Sequence, residues 1–297
     1  MNDLVRLRPE GRGRSYSPLR GLAESALRIA YAGDWPGRAW GLLPRAAAVQ
    51  RLDHAFPLPP AVGRSRPPLR LAFASDLHLG PTTSAHTLDR AFALLAAAEP
   101  DVLVLGGDYV FLDATPARAR ELTERVAAVP ARTKLAVLGN HDLWADQTVL
   151  ERALTRAGAR VLVNEAVRLP APYDDIAILG LDDPWTGRPD AAPAMAVAAG
   201  AAAVLAVCHS PDGVPFLRGT GARLLLAGHT HGGQIALPGP RPIVVPGPLG
   251  KRWPFGRHQV GGADGLTLFV SRGVGATEVP MRTFAPPDVA VFTLAGE

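Results

Sequence analysis

One pattern constrains this chain of 297 residues more than any other. An apolar run repeatedly ends in a compact set of Asp, Asn, His and Gly: SDLHLG at 75–80, GGDY at 106–109, GNHD at 139–142, CHSPD at 208–212 and GHTHGGQ at 228–234. The runs read as buried β-strands over 69–75, 101–107, 134–140, 160–164, 175–181, 203–210, 223–230, 267–271 and 289–294. Helical stretches are predicted near 84–98, 114–129 and 145–158. Short, continuously apolar strands interleaved with helices predict an α/β fold whose sheets are covered on both faces by helix. Open α/β sheets place ligands beyond the carboxyl ends of their strands, where these sets stand. A turn alone would need Gly, Asn, Asp or Ser, not recurrent histidine.

Histidine usage sharpens the point. Five of the eight histidines, His78, His141, His209, His229 and His231, lie in these sets, whereas His54, His86 and His258 do not. Cys208, the single cysteine, excludes an internal disulfide and a thiolate cluster, so a metal site here must use His, Asp, Glu or Asn. Cys208 itself precedes a candidate ligand on an apolar strand and reads as core. Apolar residues make up 47% and charged residues 20%, which excludes a disordered chain.

Asp76 and His78 are two residues apart, as are His229 and His231, a spacing that in extended backbone sends both side chains to one side. Gly228, Gly232 and Gly233 permit close backbone approach around a crowded site. Asp108 offers two oxygens and so could bridge two ions; Asn140 offers a neutral amide oxygen and His209 a further nitrogen. Seven such ligands exceed what one tetrahedral ion takes and suit two neighbouring ions. Nitrogen and oxygen donors without thiolate favour Mn²⁺, Fe or Zn²⁺ over Mg²⁺. A pair of this kind can hold a bridging water for in-line attack while neutralising phosphoryl charge, which predicts phosphoester hydrolysis. His141, next to Asn140, is expected to face substrate and stabilise the transition state or protonate the leaving oxygen. Asp142 either caps the helix that follows or orients a histidine.

The ordered set 76-DLH-78, 107-GD-108, 139-GNH-141, His209 and 228-GHTH-231 resembles the calcineurin-like metallophosphoesterases over roughly residues 69–294. The resemblance implies a four-layer α/β/β/α sandwich of two mixed sheets flanked by helices. It implies Asp76, His78, Asp108 and His231 around one metal, and Asp108, Asn140, His209 and His229 around the other. Blocks GHTHGGQ and CHSPD and the tail SRGVGATEVPMR are similar to a bacterial subgroup. That subgroup includes membrane-associated phosphodiesterases and enzymes cleaving the pyrophosphate of UDP-2,3-diacylglucosamine in lipid A synthesis. Phe111 stands where the protein-phosphatase branch has an Asp that orients the catalytic histidine, and Asp113 is at the wrong spacing to replace it. The expected activity is thus phosphodiester or pyrophosphate hydrolysis, with the diacylglucosamine reaction and broad phosphomonoester hydrolysis as alternatives.

The net charge of +4 conceals an asymmetry. Residues 1–70 hold twelve Arg and no Lys against five acids, while the remainder is mildly acidic. Lys134 and Lys251 are the only lysines, and the basic region lacks interleaved aromatics, so no specific nucleic-acid partner is expected. Binding to a membrane or nucleic acid through this basic arm alone is the non-enzymatic alternative. The start of the chain does not read as a secretory signal. Nor does alanine-rich 191–207 read as a membrane span; it reads as a buried helix running into a strand. Residues 21–52 either pack on the body or lie along an anionic membrane surface. Prolines 57, 59, 60, 67 and 68 suggest a linker over 53–69, dividing an arm and linker (1–69) from a catalytic domain (70–297). The expected location is cytoplasmic, with peripheral contact at the inner membrane face.

Overall fold

The computed structural model describes residues 18–60, 66–260 and 265–296, apart from the side chains of Arg45 and Ala47. Before the first sheet come helices α1 (Pro18–Ala30) and α2 (Trp35–Gly41). The strands are β1 (Gln50–Leu58), β2 (Leu69–Ala74), β3 (Val102–Leu105), β4 (Thr133–Ala136), β5 (Ala159–Val161), β6 (Glu165–Arg168) and β7 (Ile176–Gly180). They continue with β8 (Ala203–Val207), β9 (Ala222–Ala227), β10 (Ala236–Leu237), β11 (Arg241–Pro242), β12 (Gly256–Gln259), β13 (Thr267–Val270) and β14 (Asp288–Gly296). Between them lie α3 (Ala85–Ala97), α4 (Pro116–Ala128), α5 (Asn140–Trp144), α6 (Gln147–Arg156), α7 (Met195–Ala198) and α8 (Pro248–Arg252).

Two six-stranded mixed sheets result, ordered β1-β14-β2-β3-β4-β5 and β12-β13-β9-β8-β7-β6, beside a small β10-β11 ribbon. Strand alternation sorts the core into layers. Leu71 and Phe73 of β2, Val104 of β3, Leu205 of β8 and Leu226 of β9 point between the sheets. Ala72, Ala74, Leu103 and Leu105 point instead to the helices on the outer face of the first sheet. Val204, Ala206, Leu225 and Ala227 do the same on the second. Each sheet therefore has helix on one face and the other sheet on the second. The apolar runs predicted burial on both faces but could not say whether helix or sheet supplied it. The α/β/β/α layering is the one the family resemblance implied.

Parallel register aligns the strand ends: Ala74 pairs with Leu105 and Leu105 with Ala136, while Val207 pairs with Leu226 and Ala227 with Val270. The loops after β2, β3 and β4 consequently meet those after β8, β9 and β13. Val274 N donates to Ser75 O (3.0 Å) and Gly275 N to Asp76 O (2.6 Å), joining the two sheets at this end.

One boundary differs from the sequence reading. The stretch expected as linker from residue 53 starts as strand: β1 pairs in parallel with β14 over its whole length, from Gln50–Asp288 to Leu58–Gly296. Its place at the sheet edge explains why Pro57 is tolerated, since an edge strand leaves one row of N–H groups unpaired. Phe56 and Leu58 are buried between the sheets. His54 packs on Phe269 and Phe292, each ring centroid 5.0 Å away. The alanine-rich segment forms short α7 ahead of β8, and no helix among the described residues is long and apolar enough to cross a membrane. Phe56→Ala is expected to destabilise the fold by about 3–5 kcal/mol, read as a lowered midpoint in denaturant unfolding.

Candidate metal centre

All seven sequence-predicted ligands converge where the two sets of loops meet. Two groups among the described residues could each hold a metal ion, Asp76, His78 and His231, and Asp108, His209 and His229, all buried, with the donor atoms of each group within 4.8 Å of one another. His78 Nε2 lies 3.1 Å from His231 Nε2, and His231 Nε2 lies 3.5 Å from Asp76 Oδ1. In the second group, His209 Nε2 is 3.1 Å from Asp108 Oδ2 and 3.2 Å from His229 Nδ1.

The backbone achieves this differently from the expected extended i, i+2 projection. Asp76, His78, Asp108, His229 and His231 all have positive φ, between 46° and 72°. Such left-handed residues cost on the order of 1–3 kcal/mol each and persist only where surrounding contacts over-determine them. Those contacts are present: Asp76 N donates to Gly107 O (2.9 Å), His78 N to Asp108 O (3.0 Å), and His229 N to Asp76 Oδ1 (3.0 Å). Two glycines admit the close approach. A Cβ on Gly139 would stand 2.2 Å from Asp108 Oδ1, and one on Gly228 would stand 2.1 Å from Ser75 Oγ.

Asp108 also departs from the two-oxygen reading. Its Oδ1 accepts the His141 backbone N–H (2.8 Å), while Oδ2 alone lies near both groups, 3.1 Å from His209 Nε2 and 3.6 Å from His78 Nε2. A single shared oxygen is thus the bridging atom on offer. The His209 ring is held by Nδ1–H donating to Gly106 O (2.9 Å), which leaves Nε2 facing the site. Asp142 takes neither of the two roles expected of it: the helix that follows, α6, is capped by Asp146, and the Asp142 carboxylate binds backbone N–H groups instead of a histidine ring. Its Oδ2 accepts from Gly139 N (2.9 Å) at the start of α5 and from Asp108 N (2.7 Å), and its Oδ1 accepts from Tyr109 N (2.7 Å). One carboxylate thus fastens the start of its own helix, α5, and clamps the bridging residue.

Electrostatics fit a site for cations. Burial pushes Asp76 up to about 6, with Asp108 adding to the shift against His209. Burial lowers His78 to about 4 and His229 to about 3, which keeps these imidazoles neutral and able to donate lone pairs. At His209 burial acts downward, but the charge and hydrogen bond of Asp108, with Asp76 and Asp183, outweigh it and hold the ring well above its ordinary value. Carboxylates that draw a proton onto a buried imidazole would equally favour a divalent ion. Asn140 Oδ1 is buried without a protein hydrogen-bond partner, as a donor reserved for an ion would be.

These ligand groups and their order point to one family, and comparison with known proteins decides it. A family model for calcineurin-like phosphoesterases matches residues 69–233. The chain is a calcineurin-like phosphoesterase. It is 30% identical over 223 residues to "Uncharacterized metallophosphoesterase YkuE" of Bacillus subtilis (strain 168), covering 74% of this chain and 77% of that one. It is 29% identical over 237 residues to "Phosphodiesterase YaeI" of Escherichia coli (strain K12), covering 76% and 82%. A "Transmembrane protein with metallophosphoesterase domain" of Bos taurus is 30% identical over 261 residues, covering 80% of this chain and 54% of its own. Family and geometry together support a phosphoester hydrolase with two divalent metal ions.

In this calcineurin-like phosphoesterase the ligands open onto a cavity of about 400 Å³ whose lining includes Asn140, His141, Trp144, Trp185, Glu278 and, from α1, Arg20. The sequence reading missed Arg20 by assigning α1 to the arm. Arg20 Nη2 is 3.4 Å from His141 Nε2, and its guanidinium lies 3.9 Å from the centroid of a Trp144 ring. Phe111 packs against His141 (5.5 Å), so an aromatic wall stands where an orienting carboxylate was sought, and Asp113 is engaged by Arg28 of α1 (2.9 Å). Burial lowers the His141 imidazole, with Asp108 opposing and the Arg20 charge assisting. Arg282 reaches the site from behind, 3.2 Å from His231 Nδ1, and also donates to Gly275 O. Trp185 stands 4.7 Å from His229 and donates to Asp212 (2.9 Å). Cys208 is buried, and burial pushes its thiol up, as a core residue requires.

Removing the Asp142 clamp is expected to weaken metal binding without abolishing the fold. Asp142→Ala should lose about 10–100-fold in Mn²⁺ affinity by calorimetric titration, while far-ultraviolet circular dichroism stays native.

Proposed function

We propose that the protein hydrolyses phosphodiester or pyrophosphate bonds, the observation that carries this being two ligand groups around one shared oxygen, Asp108 Oδ2, with Arg20 and His141 beside them. Asp76, His78 and His231 would hold one ion, Asn140, His209 and His229 the other, with Asp108 between. The imidazole-rich, thiolate-free donors favour Mn²⁺, Fe or Zn²⁺. When bound, such ions supply Lewis acidity that activates water and neutralises phosphoryl charge.

The chain's own residues supply the rest. Arg20, stacked on Trp144, turns guanidinium N–H groups toward a phosphoryl oxygen in the cavity. His141, kept neutral by burial and by the Arg20 charge, accepts from Arg20 Nη2 at Nε2 (3.4 Å), and the pair stands where charge develops on the phosphoryl group. Trp144 beside His141 and Trp185 beside His229 offer an aromatic wall to each of two ester substituents, which suits a diester better than a monoester. The YaeI relative, named a phosphodiesterase, supports the same choice. The reading includes peripheral contact with the inner membrane face, and a diacylglucosamine pyrophosphate is one substrate consistent with it.

With Mn²⁺, the enzyme is expected to turn over bis-p-nitrophenyl phosphate faster than p-nitrophenyl phosphate; a strong preference for the monoester would overturn the diester assignment. Asp108→Asn should nearly abolish turnover and reduce bound metal, measured by elemental analysis. His141→Ala should lose about 10²–10³-fold in kcat with metal content retained. Arg20→Ala should cost about a hundredfold in kcat/KM, again with metal retained.

A further inference from the structure

Helix α1 is mounted with its faces reversed. A surface helix of a globular protein ordinarily turns its apolar stripe inward. Here the inward side is charged: Glu24 is 5% exposed and is held by Arg20 (3.0 Å) and Arg28 (3.5 Å). Arg20 and Arg28 then continue to His141 and Asp113. Tyr31, just after the helix, donates to Glu278 O (2.7 Å). The apolar stripe of Leu19, Leu22 and Ile29 faces away from the body, with Leu19 79% and Ile29 81% exposed.

Other exposed apolar side chains accompany the stripe. Trp35 and Leu42 extend it beyond α1, and Leu42 is 86% exposed. Val244, 72% exposed, and Val279 line the same cavity as Arg20. Directly ahead of α1 in sequence, residues 1–17 bring Arg6, Arg8, Arg12 and Arg14 against Asp3 and Glu10. An exposed apolar face of this kind marks an interaction site, and the excess of basic residues ahead of it in sequence, outside the described residues, matches an anionic partner.

From these observations we infer that α1 and the apolar rim of the cleft dock onto an anionic lipid bilayer, α1 lying in the plane of the interface. Its thirteen residues cannot span a membrane, but they suit an interfacial helix with one face toward acyl chains. Docked this way, the helix turns Leu19, Leu22 and Ile29 to lipid while Arg20 stays turned to the site. The cavity mouth then opens at the headgroup level, so the substrate is a phosphoester carried in a lipid headgroup. This substrate assignment rests on the hydrolase reading above; the docking itself does not.

The test is flotation of the full chain with vesicles of phosphatidylcholine and phosphatidylglycerol, against vesicles of phosphatidylcholine alone, beside turnover of bis-p-nitrophenyl phosphate. The wild-type chain should float with the anionic vesicles and much less with the neutral ones. The combined variant Leu19→Asp, Leu22→Asp, Ile29→Asp should lose about tenfold or more in bound fraction. Its turnover of the soluble diester should remain that of the wild type, showing an intact site. Equal flotation of variant and wild type, or no flotation of either, overturns the docking. So does a concentration-dependent dimer in sedimentation velocity that the variant abolishes, since the face would then belong to a second copy. Vesicle binding without hydrolysis of any diester would keep the docking and sink the hydrolase reading.

Discussion

Everything at the site depends on how the two sheets are packed. Asp76, His78, Asp108 and Asn140 follow strands of the first sheet, whereas His209, His229 and His231 follow strands of the second. Neither sheet alone carries a complete ligand group. Their relative position is set by the layer between them, where Phe73 of the first sheet meets Phe269 of the second (6.3 Å), and Phe269 meets Phe292 (5.2 Å). Close-packed interiors transmit displacement instead of absorbing it. A slip of the inter-sheet layer would therefore separate Asp76 from His231, which stand only 3.5 Å apart.

That frame also explains how a cluster of left-handed residues is sustained. Asp76 and His78 are tied to the neighbouring loop by backbone hydrogen bonds to Gly107 and Asp108, His229 N reaches across to the Asp76 carboxylate, and the loops are held by the core. The arrangement concentrates carboxylates and imidazoles where water cannot screen them. Asp108 and Asp76 repel within it, and burial adds to the cost. Such a cluster is stable only if positive charge enters, and in this structure His209 supplies it in part. Metal binding and local order are accordingly expected to be coupled.

The convergence of these side chains was legible in sequence because metal chemistry admits few residue types and because parallel strands deliver them from adjacent ends. Five left-handed non-glycine positions were not legible, since Asp and His tolerate that conformation without announcing it. Asp142 reads in sequence as a cap for the following helix or as an orienter of a histidine, and only the folded chain shows its carboxylate gathering the backbone N–H groups of Asp108, Tyr109 and Gly139 instead. Phe111 made the missing orienting Asp visible, but not its replacement by packing. The linker reading failed at β1 because prolines mark edge strands as well as linkers, and no local pattern reveals a partner 230 or more residues away, as Gln50 has in Asp288.

Helix α1 shows why a division into a catalytic body and a locating arm is too simple. Periodicity identifies an amphipathic helix but not which face meets the protein. Here the charged face binds the body, and it carries Arg20 to within 3.4 Å of His141. The Arg28–Asp113 pair and the Tyr31 contact with Glu278 fix the same helix against two different loops of the site. Location and chemistry are joined in a single element: one face of α1 carries Arg20 to the cleft, and the opposite face exposes Leu19, Leu22 and Ile29.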